Sequence, residues 1–144
     1  MQNKAIKFND IIEQLTPETH GVGGGIIGWR DAGDAKGRGV FANQDIPKDS
    51  VIEVSPIIPV ATTAIPDEGG APDGYLLDWD PDTKGQEHCL AGGFIMFYNH
   101  SSFSNVRLEN DYSDMTITVF ALRDIKKGEE LVWNYDCEIW FDQE

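Results

Sequence analysis

Only two of the 144 residues are cysteine, Cys89 and Cys137. They lack a C-x-x-C spacing, which argues against a zinc site and a disulfide framework and fits a reducing compartment. The chain holds three histidines; His100 has no second ligand at metal spacing, so no metal site is expected. Long apolar runs are missing as well, since none approaches the 18 residues that mark a membrane span. The opening MQNKAIKFNDIIEQL has no apolar h-region and does not read as a secretory signal. On that reading Asn99-His100-Ser101 is an accidental glycosylation sequon, and the protein is expected in the cytoplasm or nucleus and not secreted. Bases are scarce, 11 against 25 acids, for a formal charge of −14. Such a charge disfavours direct binding to nucleic acid or an anionic membrane, both polyanions, and favours a cationic partner.

What the chain does contain is enough apolar material, 40% of residues, to fill the core of one domain. The charge is uneven. Residues 1–48 hold six acids and six bases, 49–108 nine and two, and 109–144 ten and three. The bland reading is a solvated surface. The sharper one is a field that draws in a basic substrate.

Secondary structure reads as many short strands joined by tight turns. IKFNDIIEQL (6–15) places Ile6, Ile11, Ile12 and Leu15 on one helical face and predicts a short helix ending before Thr16-Pro17. Ile26–Trp29 and VFANQDI (40–46) read as strands around the glycine-rich loop 31–39. VIEVSPIIPV (51–60) is β-branched with two prolines, which predicts an edge or irregular strand. Residues 61–74 read as a loop and YLLDWD (75–80) as a strand. MTITVFAL (115–122) alternates cleanly and is the clearest strand, and ELVWNY (130–135) is the last. No repeat or linker divides the chain.

Three stretches carry polar groups where chemistry could sit. Gly37-Arg38-Gly39 lacks the third glycine of a dinucleotide fingerprint, because position 42 is Ala. It reads either as a plain turn or as a backbone that approaches a ligand closely. Tyr98-Asn99-His100-Ser101 follows the apolar FIMFY, where a core strand should end, with Asn105 shortly after. Its Asn and His could cap a turn or face a ligand. Gly128-Glu129-Glu130-Leu131 runs into Trp133-Asn134-Tyr135, whose aromatics either fill the core or surround a ligand.

In this order and spacing the three stretches resemble the SET domain of protein-lysine methyltransferases. GRGVFANQDIPKDSVIE resembles the opening glycine motif and its turn, with Asp49 where the family usually has Gly. MFYNHSSFSN resembles the central Asn-His-Ser motif, with Ser104 in place of the family's Pro and Asn105 kept. ALRDIKKGEELVWNYD resembles the closing motif that ends on a tyrosine. The resemblance implies a mainly β, β-clip-like fold of small curved sheets with a C-terminal pseudoknot, spanning residues 26–144 behind an extension of 1–25. It implies S-adenosylmethionine as cofactor, contacted by Lys36, Gly37, Arg38, Gly39, Asn99 and His100, with Trp140 over the adenine. It implies Tyr135 as the catalytic residue and Tyr98, Trp133 and Leu108 as walls of a substrate-lysine channel. The absence of cysteine-rich flanking segments makes the chain similar to compact viral and bacterial members, some of which dimerise, so a homodimer stays open.

The implied reaction moves a methyl from a sulfonium to a lysine amine in a basic protein segment. The amine must be neutral; with an ordinary pKa of ~10.4, deprotonation at pH 7 costs about 4.6 kcal/mol. An apolar channel and the sulfonium charge both lower that cost. Trp133 sits two before Tyr135, where the family limits the number of methyls added, but residue type alone leaves that number open. Two other readings stand beside the enzyme: an inactive SET module that binds cofactor and basic peptides, and an unrelated all-β interaction protein.

Overall fold

The computed structural model describes residues 25–33, 36–65 and 75–135. The expected helix over 6–15 lies outside them, as do Cys137 and Trp140. Nine strands follow in chain order: β1 (Ile27–Asp31), β2 (Arg38–Ala42), β3 (Val51–Val60), β4 (Leu77–Asp78), β5 (His88–Ala91), β6 (Asn99–His100), β7 (Val106–Asp111), β8 (Thr116–Ala121) and β9 (Glu130–Trp133). They form two small sheets, ordered β1-β2-β9-β6 and β4-β5-β3-β8-β7. Among the described residues helix is limited to single 3-10 turns, as at Thr62–Ala64 and Ile95–Phe97.

β8 shows how pattern becomes packing. Ile117, Val119 and Ala121 point inward and are buried, while Thr116, Thr118 and Phe120 alternate outward. They meet Val40 and Ala42 of β2, Val106 of β7 and Leu131 of β9 in one core, all at 1% exposure or less. β7 escapes a hydropathy scan because it is a sheet edge: beyond Val106 and Leu108 its residues are polar and largely solvated.

Of the two alternatives expected for β3, edge or irregular, it is not the edge, since it is the middle strand of its sheet. Its prolines are tolerated because the strand changes partners halfway. Val51–Pro56 pair with β8, and Ile57–Val60 pair with β5. Each half therefore has one free side, and a proline nitrogen can face it. The handover is made by Ile57 N–H donating to Met115 O at 3.0 Å and Gly92 N–H donating to Pro56 O at 2.9 Å. The strand is irregular only in a register shift between Val51 and Glu53. FIMFY also differs from expectation, because Ile95–Phe97 form a 3-10 turn and not the end of a strand.

Two turns that share Asp-Ile-x-Lys, at 45–48 and 124–127, pair with each other reciprocally. Ile46 and Ile125 exchange backbone hydrogen bonds, both at 2.8 Å. Asp45 accepts from Lys127 N–H at 2.9 Å and Asp124 from Lys48 N–H at 2.8 Å. Asp49 and Gly128 close the two turns in the left-handed region, at φ 65° and 89°. Asp49 thus adopts the conformation for which glycine is favoured, and aspartate is among the few other residues that visit it.

β9 is enclosed on both sides. β2 pairs with it antiparallel through Val40 and Phe41, and β6 pairs with it parallel, Asn99 opposite Val132 and His100 opposite Trp133. Ser101 N–H then donates to Trp133 O at 3.1 Å and Asn105 N–H to Val132 O at 3.0 Å, so segment 99–105 wraps the last strand. The Asn105 side chain completes the clamp: its amide donates to Glu130 O at 2.8 Å and accepts from Val132 N–H at 2.9 Å.

Candidate active site

The site begins at the turn between β1 and β2. Gly37 sits at φ 70°, where an L side chain is strained, and its N–H donates to Gly33 O at 2.9 Å. Gly39 is required for a different reason. A Cβ there would lie 2.5 Å from Glu130 Oε1 and 2.9 Å from Asn99 Nδ2. The bare backbone of β2 therefore forms a cradle against β6 and β9 that any side chain would fill. The Arg38 guanidinium folds away over the Trp29 ring, 5.3 Å from its centroid, and leaves only its backbone on the cradle side.

Asn99 is held across this cradle. Its Nδ2 donates to Arg38 O at 3.1 Å and to Glu130 Oε1 at 2.6 Å. Both amide hydrogens are thereby used within the protein, so Oδ1 is the atom with capacity for a donor such as an ammonium group. Lys36 Nζ lies 3.7 Å from Glu130 Oε2, a partly exposed cation at the mouth of the same cradle. An open backbone, an amide acceptor and a nearby cation suit the zwitterionic methionine part of S-adenosylmethionine. Replacing Gly39 with Ala should weaken cofactor binding on the order of tenfold or more, because the new methyl must displace Glu130 or Asn99 from its hydrogen bond; titration calorimetry reads the change directly.

Tyr135 stands at the far end of β9. Its hydroxyl donates to Tyr98 O at 2.5 Å, and its N–H donates to His100 Nδ1 at 3.1 Å. Accepting at Nδ1 places the proton of a neutral His100 on Nε2. The His100 ring meets Tyr135 edge-on at 5.2 Å between centroids, and the Trp133 ring is tilted against it at 5.1 Å. The phenol is thus held at the Tyr98 carbonyl and flanked by two rings.

Tyr98 contributes its carbonyl to that arrangement, whereas its ring is buried at 1% exposure. The ring hydroxyl faces Glu53 of β3. Burial first, and then the adjacent carboxylate, push the phenol well above its ordinary value. Burial likewise raises the Glu53 carboxyl, against the lowering effect of its hydrogen bonds from Phe94 N–H and Ser55 Oγ, both 3.2 Å.

The SET domain family description matches residues 37–136. The chain belongs to the SET-domain family. It is 33% identical over 113 residues to the Schizosaccharomyces pombe histone-lysine N-methyltransferase specific for H3 lysine-37, covering 77% of this chain and 74% of that one. A Plasmodium falciparum structure provisionally described as a histone methyltransferase is 25% identical with a TM-score of 0.60, over 81% of this chain and 98% of the other. Arabidopsis thaliana SUVH6 in complex with S-adenosylmethionine shares the fold at a TM-score of 0.60 and 20% identity, over 78% of this chain and 27% of that protein. This SET domain is a protein-lysine methyltransferase that uses S-adenosylmethionine, and the accidental-motif reading is set aside.

Lys36, Gly37, Arg38, Gly39, Asn99, His100, Tyr98, Trp133 and Tyr135 all converge here. Leu108 sits on β7 opposite Val119, partly buried against the core. Trp140 lies outside the described residues. Three residues that lie in the quoted motifs, but to which the sequence assigns no role, stand beside them. Glu130 orients Asn99, Asn105 clamps β9, and Glu53 supports Tyr98. Glu130 and Asn105 lie inside the motifs already described, so an acid in the closing motif and an Asn kept after the central one were the available signals.

Proposed function

We propose that this SET domain methylates lysine in the basic tail of a histone, with Tyr135 as its catalytic residue. The observation that carries the assignment is the Tyr135 hydroxyl, fixed 2.5 Å from the Tyr98 carbonyl at the end of the strand that also holds the Asn99–Glu130 pair. The cofactor, when bound, supplies an electrophilic methyl on a sulfonium. Lys36, Gly37, Gly39 and Asn99 hold its amino-acid part, His100 buttresses Tyr135, and Trp133 and Tyr135 flank the lysine stem.

Tyr135 acts by position. Its single proton is committed to a backbone carbonyl, so toward an incoming amine its oxygen can serve only as an acceptor. They orient the amine and stabilise the positive charge that shifts onto it. Proton removal from the incoming lysine falls to water, aided by apolar surroundings that disfavour the ammonium. Alignment then supplies much of the acceleration.

The histone assignment rests on the Schizosaccharomyces pombe relative and on charge. Residues 49–144 carry 19 acids against 5 bases, a net of −14 that attracts a basic tail. Assays with labelled cofactor on core histones and on H3 tail peptides, each lysine replaced in turn by arginine, test the reading. Methyl incorporation that vanishes with one lysine supports it, and incorporation into other basic proteins but no histone overturns it. Raising the salt should raise KM for the tail with little change in kcat, because screening weakens the steering field; a KM flat in salt would remove charge from substrate recruitment.

A further inference from the structure

The 3-10 turn Ile95–Phe97 links two facts that are separate in the chain. Its first residue follows Phe94, and its last precedes Tyr98, whose carbonyl receives the Tyr135 hydroxyl. The turn closes by Phe97 N–H donating to Phe94 O at 2.9 Å and Tyr98 N–H to Ile95 O at 3.4 Å. These are the hydrogen bonds of a single short turn, so something outside it must fix where the Tyr98 carbonyl points.

Glu53 meets both ends of this turn. Its Oε2 accepts from Phe94 N–H at 3.2 Å and from Ser55 Oγ at 3.2 Å. Its Oε1 and the Tyr98 hydroxyl are both buried, and neither makes a well-aligned hydrogen bond to another group among the described residues. The two face each other across the β3–turn junction. Gly93 leaves the room for this, since a Cβ there would lie 2.6 Å from both Glu53 Oε2 and Ser55 Oγ. A carboxylate is an uncommon group to bury beside a strand, and the polar partners it has gathered all belong to the turn or to its own strand.

We propose that Glu53 is a positioning residue for methyl transfer: by holding Phe94 N–H at one end of the turn, beside the Tyr98 hydroxyl, it sets the Tyr98 carbonyl that fixes the Tyr135 hydroxyl. It touches neither cofactor nor substrate and acts through the turn alone. The inference rests on the reading of Tyr135 as the catalytic residue, and it concerns the step after binding. Loss of Glu53 should therefore lower kcat while sparing cofactor affinity, because the Gly39–Asn99 cradle stands on β2, β6 and β9 and not on β3.

The test has an arm that needs no activity. Tyr98-Asn99 is the only Tyr-Asn pair in the chain. Carbonyl-labelled tyrosine with amide-labelled asparagine thus gives one resonance, from the carbonyl in question. Y135F sets its position without the phenol hydrogen bond. E53A should move it in the same direction by more than half as far, and E53Q, which keeps an acceptor for Phe94 N–H, by less. In the kinetic arm E53A should lower kcat on the order of tenfold, the scale of a reacting group moved slightly out of line, with cofactor affinity held and partial recovery in E53Q. A carbonyl resonance unmoved in E53A overturns the proposal, as does a loss of cofactor affinity that matches the loss of kcat. If E53A does not fold, Y98F removes the hydroxyl alone; with phenylalanine in place of tyrosine as the carbonyl-labelled residue, Y98F adds one peak to the single Phe8-Asn9 peak of the wild type, and that added peak at the wild-type tyrosine position counts against the proposal, whereas one shifted toward the Y135F position supports it. Full activity in Y135F would instead overturn the catalytic reading, while the resonance still reports on Glu53.

Discussion

Replacing Tyr135 with Phe is expected to lower methyl transfer on the order of 10²-fold or more, the scale seen when one preorganised polar group is removed from a reacting centre. Cofactor binding should survive. The ring contacts with His100 and Trp133, and the N–H bond to His100, do not involve the hydroxyl. What is lost is the one oxygen held 2.5 Å from the Tyr98 carbonyl. Rapid-quench turnover paired with calorimetric cofactor titration separates the two quantities. A variant that turns over at the wild-type rate would leave the phenol as packing only, and a variant that loses cofactor in parallel would make it part of the binding site.

Replacing Asn105 with Ala should be the most damaging single change to stability among those considered. The residue is 2% exposed, and its side chain satisfies Glu130 O and Val132 N–H in the interior. Removing it leaves two buried backbone groups without their partner, at roughly 1–3 kcal/mol each. Together that is about 2–6 kcal/mol, a large share of the roughly 5–15 kcal/mol that holds a typical domain. Chemical denaturation should show the midpoint falling with an unchanged slope. Asn105→Asp is the useful companion, because it keeps the acceptor for Val132 N–H but sets a buried carboxylate oxygen against Glu130 O. It should be destabilised as well; a midpoint equal to wild type in both variants would show that β9 does not depend on the clamp.

How much of this was legible in the chain depends on where each partner lies. Asn99, His100 and Tyr135 stood out because each belongs to a contiguous run of distinctive residue types. β8 stood out because Thr and apolar residues alternate without interruption. β3 is half legible, since its prolines fit an edge or an irregular strand and only the paired structure reveals a central strand whose two halves each have a free side. The two Asp-Ile turns were missed as a pair because the shared residues are few and 79 positions apart, from Asp45 to Asp124. Glu53 was invisible for a similar reason. An acid amid VIEVSP reads as an outward residue of a strand, and nothing local says that Phe94, 41 positions on, will supply its hydrogen bond. Tyr98 also has a backbone role, through its carbonyl, which residue type cannot signal.

The wrapping of β9 by segment 99–105 also bears on when the enzyme becomes an enzyme. Asn99 reaches back 61 positions to Arg38 and forward 31 to Glu130, and Tyr135 reaches back 37 to Tyr98. Contacts of that span form slowly and late in folding. Until β9 has docked between β2 and β6, the cofactor cradle has no Glu130 to orient its amide and the Tyr98 carbonyl has no phenol to hold. On the proposed reading of the site, a half-folded copy has neither a complete pocket for the methyl donor nor a reacting centre, so the topology ties chemistry to the completed fold.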